Sequence, residues 1–480
     1  MKRLLLSIAA IAAVVSGPAL AQDMPSRNRP LATDYVRVCD WITEAGFYVI
    51  PGTDTCIHTG GYVRGQYNVQ STGNAFGPSG KLGLAYGGKI QKKSGSAVAI
   101  IAPPATSPVK YLPVSQDNQG SLGRAELVID ARTPTSMGPL RVLLQLQFDH
   151  GWGTQTPSLT PQILDKVYMQ WAGLTAGRAE SFFKFYDNLT DSSYIGLRAL
   201  IPSSTLFAYT VPLGNGLQVS ASAEDPQARQ GGILQAKGSG PGSSILTKDV
   251  ATAGTYGAFR SPDVVGQIKL EQAWGKAQLS AVWHRSIALY GAGTLASPLG
   301  AKGVDGYAAL AGVNVNLPLL APGDFLLVQG AYARGANAYL GAGTSVNDPG
   351  ASFLRSDSDF FINAATGQTQ ASKGYNLIAN LRHYWTPTFW QALYGSYTQL
   401  TPGTNARLID WTIGGIAGYR ELRVSSQFVW APVKSFSIGF EAMYENTKNT
   451  LAGAGTNAPP LGYKKDYDSW IGRFRINRIF

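Results

Sequence analysis

Four histidines, His58, His150, His284 and His383, and two cysteines, Cys39 and Cys56, are the side chains of this chain best suited to proton transfer, nucleophilic attack or metal binding. None of the histidines stands in a His-Glu-x-x-His or Gly-x-Ser-x-Gly sequence, the spacings that set two zinc ligands on one helix face or a serine on a strained turn beside its base. The Gly-rich stretches lack the strand-to-helix setting that cradles a nucleotide phosphate. Isolated histidines read as solvated polar residues, so no catalytic residue, cofactor or metal is expected. What remains is electrostatic chemistry. In the terminal segment Trp470 to Phe480, Arg473, Arg475 and Asn477 alternate with Phe474 and Ile476, and the chain stops on Phe480. Guanidinium groups lining a narrow, low-dielectric tube concentrate anions and repel cations.

Such a tube requires export and a membrane. Met1 to Ala21 carries Lys2 and Arg3, an apolar run from Leu4 to Val15, a Gly17-Pro18 break and the small-x-small end Ala19-Leu20-Ala21. This is the pattern of a cleaved signal peptide, and its apolar core is shorter than the roughly 20 residues a spanning helix needs. Losing Lys2 and Arg3 with it lowers the formal charge from +11 to +9. A basic balance often signals nucleic acid, but no Lys/Arg-rich run or nucleic-acid motif occurs, so none is expected as a partner. In an oxidising compartment Cys39 and Cys56 are expected to form a disulfide, since a cysteine pair with His58 falls short of the four ligands zinc takes. The clip would hold residues 22–56, with a turn at Pro51-Gly52, against the periplasmic end of a barrel over 57–480.

The positioning elements are strands. Arg64, Gln66 and Asn68 alternate with Val63, Tyr67 and Val69. Arg124, Glu126, Asp130 and Arg132 alternate with Ala125, Leu127, Ile129 and Ala131, and Arg141, Gln145, Gln147 and Asp149 with Val142, Leu144, Leu146 and Phe148. Period two gives one polar and one apolar face, where a helix would scatter both sets around its circumference. The pattern recurs at 167–171, 176–186, 206–211, 217–223, 265–273, 277–290, 307–317, 325–334, 376–384, 390–399, 419–430, 436–445 and the terminal segment. That makes about sixteen, the even number that returns both ends of a bacterial barrel to the periplasm. Short turns such as Gly214-Asn-Gly216 and Trp274-Gly-Lys276 alternate with long segments at 71–119, 226–262, 335–373 and 446–465. Only 14% of residues are charged, 44% are hydrophobic and 11% aromatic, which fits strands wet on one side and oily on the other.

Val36-Arg-Val-Cys-Asp40, Gly46-Phe-Tyr-Val-Ile-Pro-Gly-Thr-Asp-Thr-Cys56 and Gly60-Gly-Tyr-Val-Arg64 resemble the start of mature alphaproteobacterial general porins of the rhizobial and Brucella type. Ala176-Gly-Arg-Ala-Glu-Ser-Phe-Phe-Lys-Phe-Tyr186, Val429-Trp-Ala-Pro-Val-Lys434, Glu441-Ala-Met-Tyr444 and the final Phe480 extend the similarity along the chain. The resemblance implies a homotrimer of all-β, transmembrane antiparallel barrels in the outer membrane of a Gram-negative bacterium, surrounded by lipid and inserted by the barrel assembly machinery. It also implies a third outer loop folded inward as a constriction, which here places Asp187, Asn188, Asp191, Ser192 and Ser193 inside the tube. Phe480 would be the insertion signal, although Arg478 stands where porins at large carry an aromatic residue.

Closure of the last strand on the first would bring Arg473 and Arg475 beside Arg64 and Arg124, with Arg382 and Arg423 further round. An acidic loop facing this basic wall would set up a transverse field that orders water and orients dipolar solutes. The expected function is passive diffusion of small hydrophilic solutes and ions. A substrate-specific anion or solute channel, which would show saturable conductance, is the nearest alternative. A soluble secreted β-protein is the other, and extraction without detergent would favour it.

Overall fold

Strands with one polar and one apolar side cannot cross lipid with every backbone group paired and the polar face kept away from acyl chains unless the sheet closes on itself. The computed structural model does close. It describes residues 38–70, 83–86, 110–113, 119–153, 162–186, 201, 203–229, 233–236, 251–253, 255–256, 261–290, 300–341, 359–363, 368–402, 418–449 and 466–480. Sixteen of its strands form one antiparallel barrel: β1 (Cys56–Gln70), β2 (Gln119–Thr133), β3 (Leu140–Gly153), β4 (Gln162–Trp171), β5 (Leu174–Ala179), β6 (Ser204–Gly214), β7 (Leu217–Glu224), β8 (Asp263–Gln272), β9 (Gly275–Tyr290), β10 (Gly300–Asn316), β11 (Phe325–Arg334), β12 (Lys373–Thr386), β13 (Phe389–Thr401), β14 (Tyr419–Val433), β15 (Phe436–Asn449) and β16 (Asp466–Ile479). Each pairs with the next, and β16 returns to β1 in a register running from Tyr62 opposite Ile479 to Gln70 opposite Ile471.

The two faces separate as the alternation requires. Leu206 is 0% exposed and points inward, whereas its neighbour Phe207 is 70% exposed and points out. Val63, Val69, Leu279, Leu377 and Phe440 share the bare outer surface. The buried inner face of β14, β15, β16 and β1 carries Gln427, Glu441, Glu445, Arg473 and Asn68. A sandwich of two sheets would bury the apolar set instead, so the apolar face here belongs to lipid.

Short turns close the periplasmic end. Ala172, Asn215 and Ser435 all take positive φ in two-residue connections whose twist matches the flanking strands. Gly216 follows Asn215 with φ +76°, and a Cβ there would fall 1.8 Å from the Glu271 carbonyl oxygen, so no other residue fits without moving β8. At the seam the Gly61 amide donates to the Phe480 carbonyl at 3.1 Å and the Phe480 amide to the Gly61 carbonyl at 3.0 Å. Arg478 donates to the Lys434 carbonyl at 2.7 Å, which brings it to the neighbouring turn.

Cys39 and Cys56 are disulfide-bonded with Cα atoms 6.1 Å apart, and Cys56 opens β1 itself, so the barrel begins at the clip. Tyr48–Val49 pairs with Cys56 and Ile57, and the Arg132 guanidinium lies 4.6 Å over the Phe47 ring while reaching Glu44 at 2.7 Å. These contacts fasten the N-terminal segment to the turn end of β2. Residues 1–21, expected from sequence to be a signal peptide, lie outside the described residues.

One strand is shorter than its sequence suggests. The alternation over 176–186 predicts a continuous strand, but β5 ends at Ala179 and the chain leaves the wall. The apolar alternation of Phe183 and Phe185 serves a different surface.

Candidate permeation pathway

Because β16 is antiparallel to β1, its inward arginines meet the polar side chains of β1 in register. Arg473 stands opposite Asn68 and donates to Oδ1 at 2.6 Å, Arg475 stands opposite Gln66 with a 3.2 Å bond to Oε1, and Arg64 stands opposite Asn477 at 3.4 Å. Arg64 is also the register partner of Arg124 on β2. Arg124 makes a two-pronged pair with Asp149 of β3, both bonds 2.6 Å. On β14, Arg423 reaches Glu421 at 2.8 Å and Glu445 of β15 at 3.3 Å.

Five of the six arginines singled out from sequence therefore line the inner face around the seam. Arg382 does not join them. It donates to the Gly323 carbonyl at 3.1 Å and lies over the rings of Phe325, Tyr384 and Trp390, bracing the turn at the periplasmic mouth. The wall is also less uniformly basic than the arginines alone suggest. Asp149, Glu421, Glu441 and Glu445 interleave with them, a pairing legible only once the register is known. Nearer the mouth Asp130 accepts from Arg132 and Arg141, both at 2.9 Å.

Opposite in character is the inner face of β8 to β11, where Val265, Val282, Ala308, Leu310 and Leu327 are buried. The start of the third outer connection covers this patch. Phe183, Phe185 and Tyr186 pack in the same cluster, with the Phe183 ring 4.9 Å from Tyr339. Gly312 of β10 makes room for Phe185, since a Cβ there would lie 2.2 Å from the ring. Polar groups of the wall hold the segment's backbone: Gln267 donates to the Phe182 carbonyl at 2.7 Å, Ser280 to Phe183 at 3.1 Å and Gln278 to Lys184 at 3.0 Å. The Tyr186 amide donates to Gln329 Oε1 at 3.0 Å. Ser181 to Tyr186 thus runs inside the barrel. Asp187, Asn188, Asp191, Ser192 and Ser193, which follow directly, lie outside the described residues.

His284 departs from its expected solvation. Its Nδ1 lies 2.7 Å from Asp263 Oδ1, its Nε2 2.8 Å from Ser286 Oγ, and Tyr339 donates its hydroxyl to Asp263 Oδ2 at 2.7 Å. Acid, base and hydroxyl stand in the order of an acyl-transfer triad. His284 is 0% and Ser286 1% exposed, however, so a substrate carbonyl has no access to the hydroxyl. The relay instead docks the short helix Asn337–Leu340 of an outer connection on β8 and β9. Sequence hid it because Asp263, His284 and Tyr339 come from three separate elements. His383 has a similar structural task, meeting Asp324 at 2.6 Å beside the Tyr384 amide bond to the same carboxylate at 2.7 Å. Among the described residues no cluster of His, Cys, Asp or Glu is placed to hold a metal ion.

The profile of Porin_2, the porin subfamily, matches residues 23–473. Porin Omp2b of Brucella suis is 26% identical over 291 residues, a match covering 57% of this chain and 64% of that protein. Porin Omp2b of Brucella suis biovar 1 (strain 1330) is 28% identical over 291 residues, covering 57% and 63%. The matched region thus spans just under two thirds of either relative. Among solved structures, the outer membrane channel DcaP of Acinetobacter baumannii shares the fold with a TM-score of 0.55 at 14% identity, covering 89% of this chain and 97% of that one.

Proposed function

This chain belongs to the porin subfamily, and from that premise we propose that it forms a water-filled channel through which small hydrophilic solutes and ions diffuse down their gradients. The barrel resides in the outer membrane of a Gram-negative bacterium. The observation that carries the reading is the closed sixteen-strand register with polar side chains inside and apolar ones outside. Lipid solvates the outer face, and the ionic inner wall around Arg64, Arg124, Arg423, Arg473 and Arg475 suits hydrated solutes.

Selectivity is assigned to that wall and to the third outer loop. Phe183 and Phe185 anchor the loop's start, and Asp187, Asn188, Asp191, Ser192 and Ser193 would continue from Tyr186 across the pore opposite the arginines. No bond is broken in this mechanism and no energy is consumed. Signal cleavage after Ala21, recognition of Phe480 by the assembly machinery and a homotrimeric state complete the proposal. The concentration of guanidinium groups at the seam favours one second reading, a channel with a saturable site for a particular anion.

Planar-bilayer recording of the purified protein tests the reading. Stepwise conductance that rises linearly with salt is expected. A barrel that runs faster on SDS gels before boiling than after it, yet conducts nothing, would refute the proposal. Saturation by one solute would favour the selective alternative.

A further inference from the structure

Outward-facing side chains at the extracellular end of the barrel form two tiers. The inner tier is aromatic: Trp283 on β9, Tyr307 on β10, Tyr332 on β11 and Tyr375 on β12 stand exposed on the lipid face. Belts of this kind mark the level where acyl chains give way to headgroups. Two residues further out on the same faces the character changes. β11 carries Arg334 and β12 carries Lys373, which are register partners, while β14 carries Arg420 in register with Lys448 of β15.

Like charges directly opposite on neighbouring strands repel, so each pair destabilises the sheet unless an anion lies between or above it. Elsewhere on this rim the charge is matched: Arg285 of β9 faces Asp305 of β10 at 3.4 Å. Lys448 reaches Asp466 at 3.2 Å. Arg334, Lys373 and Arg420 are exposed and make no ion pair or hydrogen bond among the described residues. Between the two cationic pairs β13 contributes Gln399, the register partner of both Tyr375 and Arg420 and a neutral group able to hydrogen-bond to an oxyanion. At about 4.8 Å per strand the arc from β11 to β15 is on the order of 20 Å wide. Below it lies a smooth apolar surface of Val328, Leu377, Leu422 and Val424.

We propose that this arc is a binding site for the phosphate groups of an acylated, phosphorylated lipid of the outer leaflet. Guanidinium and ammonium groups supply charge-assisted hydrogen bonds to phosphate oxygens, the aromatic tier marks headgroup height, and the apolar surface beneath receives the acyl chains. A lipid satisfies all three layers at once. A free anion uses only the first, and a second copy of this chain would have to bring carboxylates to the same height.

The test compares the full-length protein with the triple variant R334Q/K373Q/R420Q, each incubated in detergent with a diphosphorylated, acylated glucosamine disaccharide or with its dephosphorylated form. Lipid retained through gel filtration is quantified by mass spectrometry. The unmodified protein is expected to retain the phosphorylated lipid at least tenfold better than the dephosphorylated one, and the triple variant to lose at least tenfold of that retention. Its single-channel conductance should not change, because the three side chains face away from the pore. Equal retention by the variant, or of the dephosphorylated lipid, overturns the proposal. Complete displacement by millimolar inorganic phosphate would mark a free-anion site, and a photo-crosslinker at position 373 that captured another copy of the chain would mark a subunit interface; either result overturns it as well. Should the triple variant fail to form a heat-modifiable barrel, K373Q alone is expected to lose about threefold of the retention, and undiminished retention refutes the site.

Discussion

Replacing Arg64, Arg473 and Arg475 with glutamine removes three positive charges from one stretch of inner wall and leaves Glu441 in place. Sixteen strands about 4.8 Å apart and tilted by about 40° set the backbone on a radius on the order of 16 Å. A guanidinium reaching inward then lies on the order of 9 Å from the axis. At that distance in water one charge contributes about 0.5 kcal/mol, which a Debye length of about 10 Å at 0.1 M salt cuts to about 0.2 kcal/mol. Three charges together amount to about 0.6 kcal/mol, roughly a threefold enrichment of anions and an equal depletion of cations. The anion-to-cation permeability ratio should therefore fall by about sevenfold to eightfold in the triple variant. In a planar bilayer under a tenfold KCl gradient, this moves the reversal potential toward the cation value by on the order of tens of millivolts. At 1 M salt, where the Debye length is about 3 Å, the difference should nearly vanish. Lysine at the same three positions should keep the original selectivity, separating charge from shape. An unchanged reversal potential at low salt, or a shift equally large at 1 M, would refute the electrostatic reasoning.

Three further outcomes follow from the packing. Substituting Phe183 and Phe185 with alanine removes aromatic anchors worth about 3 to 5 kcal/mol each from the inner-wall cluster, so the third outer connection should loosen; liposome swelling is expected to report faster entry of larger sugars, and unchanged size exclusion would separate this segment from the constriction. His284→Ala leaves Asp263 without its imidazole partner in a buried site, a loss of about 1 to 3 kcal/mol, and should expose the connection around Asn337–Leu340 to protease while the barrel stays heat-modifiable. Replacing Cys39 and Cys56 with serine opens a loop with a sequence separation of 17, which costs about 3 kcal/mol of local stability by chain entropy; faster proteolysis of residues 38–55 with unaltered conductance is the expected result.

Alternation within a strand is a local property, because successive Cβ atoms must point to opposite sides whatever the rest of the chain does. For that reason sixteen strands, their lipid and inner faces, the short turns and the inward aim of Arg64, Arg124, Arg423, Arg473 and Arg475 were legible in the residues alone. The disulfide was legible too, from two cysteines in an exported chain. Length and partnership were harder. Phe183 and Phe185 flank Lys184 at the spacing of a strand, yet both pack on the inner wall, Phe185 in space left by Gly312, more than a hundred positions away in the chain. Arg382 has the same parity as its inward-facing neighbours, but aromatic rings from β11 and β13 hold it at the mouth.

What residue order determined by itself was therefore the class of solvent each side chain meets, since hydropathy and strand geometry act over two or three residues. Tertiary structure alone decided which charges face one another: Arg124 with Asp149, Arg423 with Glu445, Asp263 with His284 and Tyr339, and the unmatched arc of Arg334, Lys373 and Arg420. Those pairings depend on register, which is fixed by hydrogen bonds between neighbouring strands and, at the β16–β1 seam, between opposite ends of the chain; a shift of one residue would turn a strand's side chains to the opposite face.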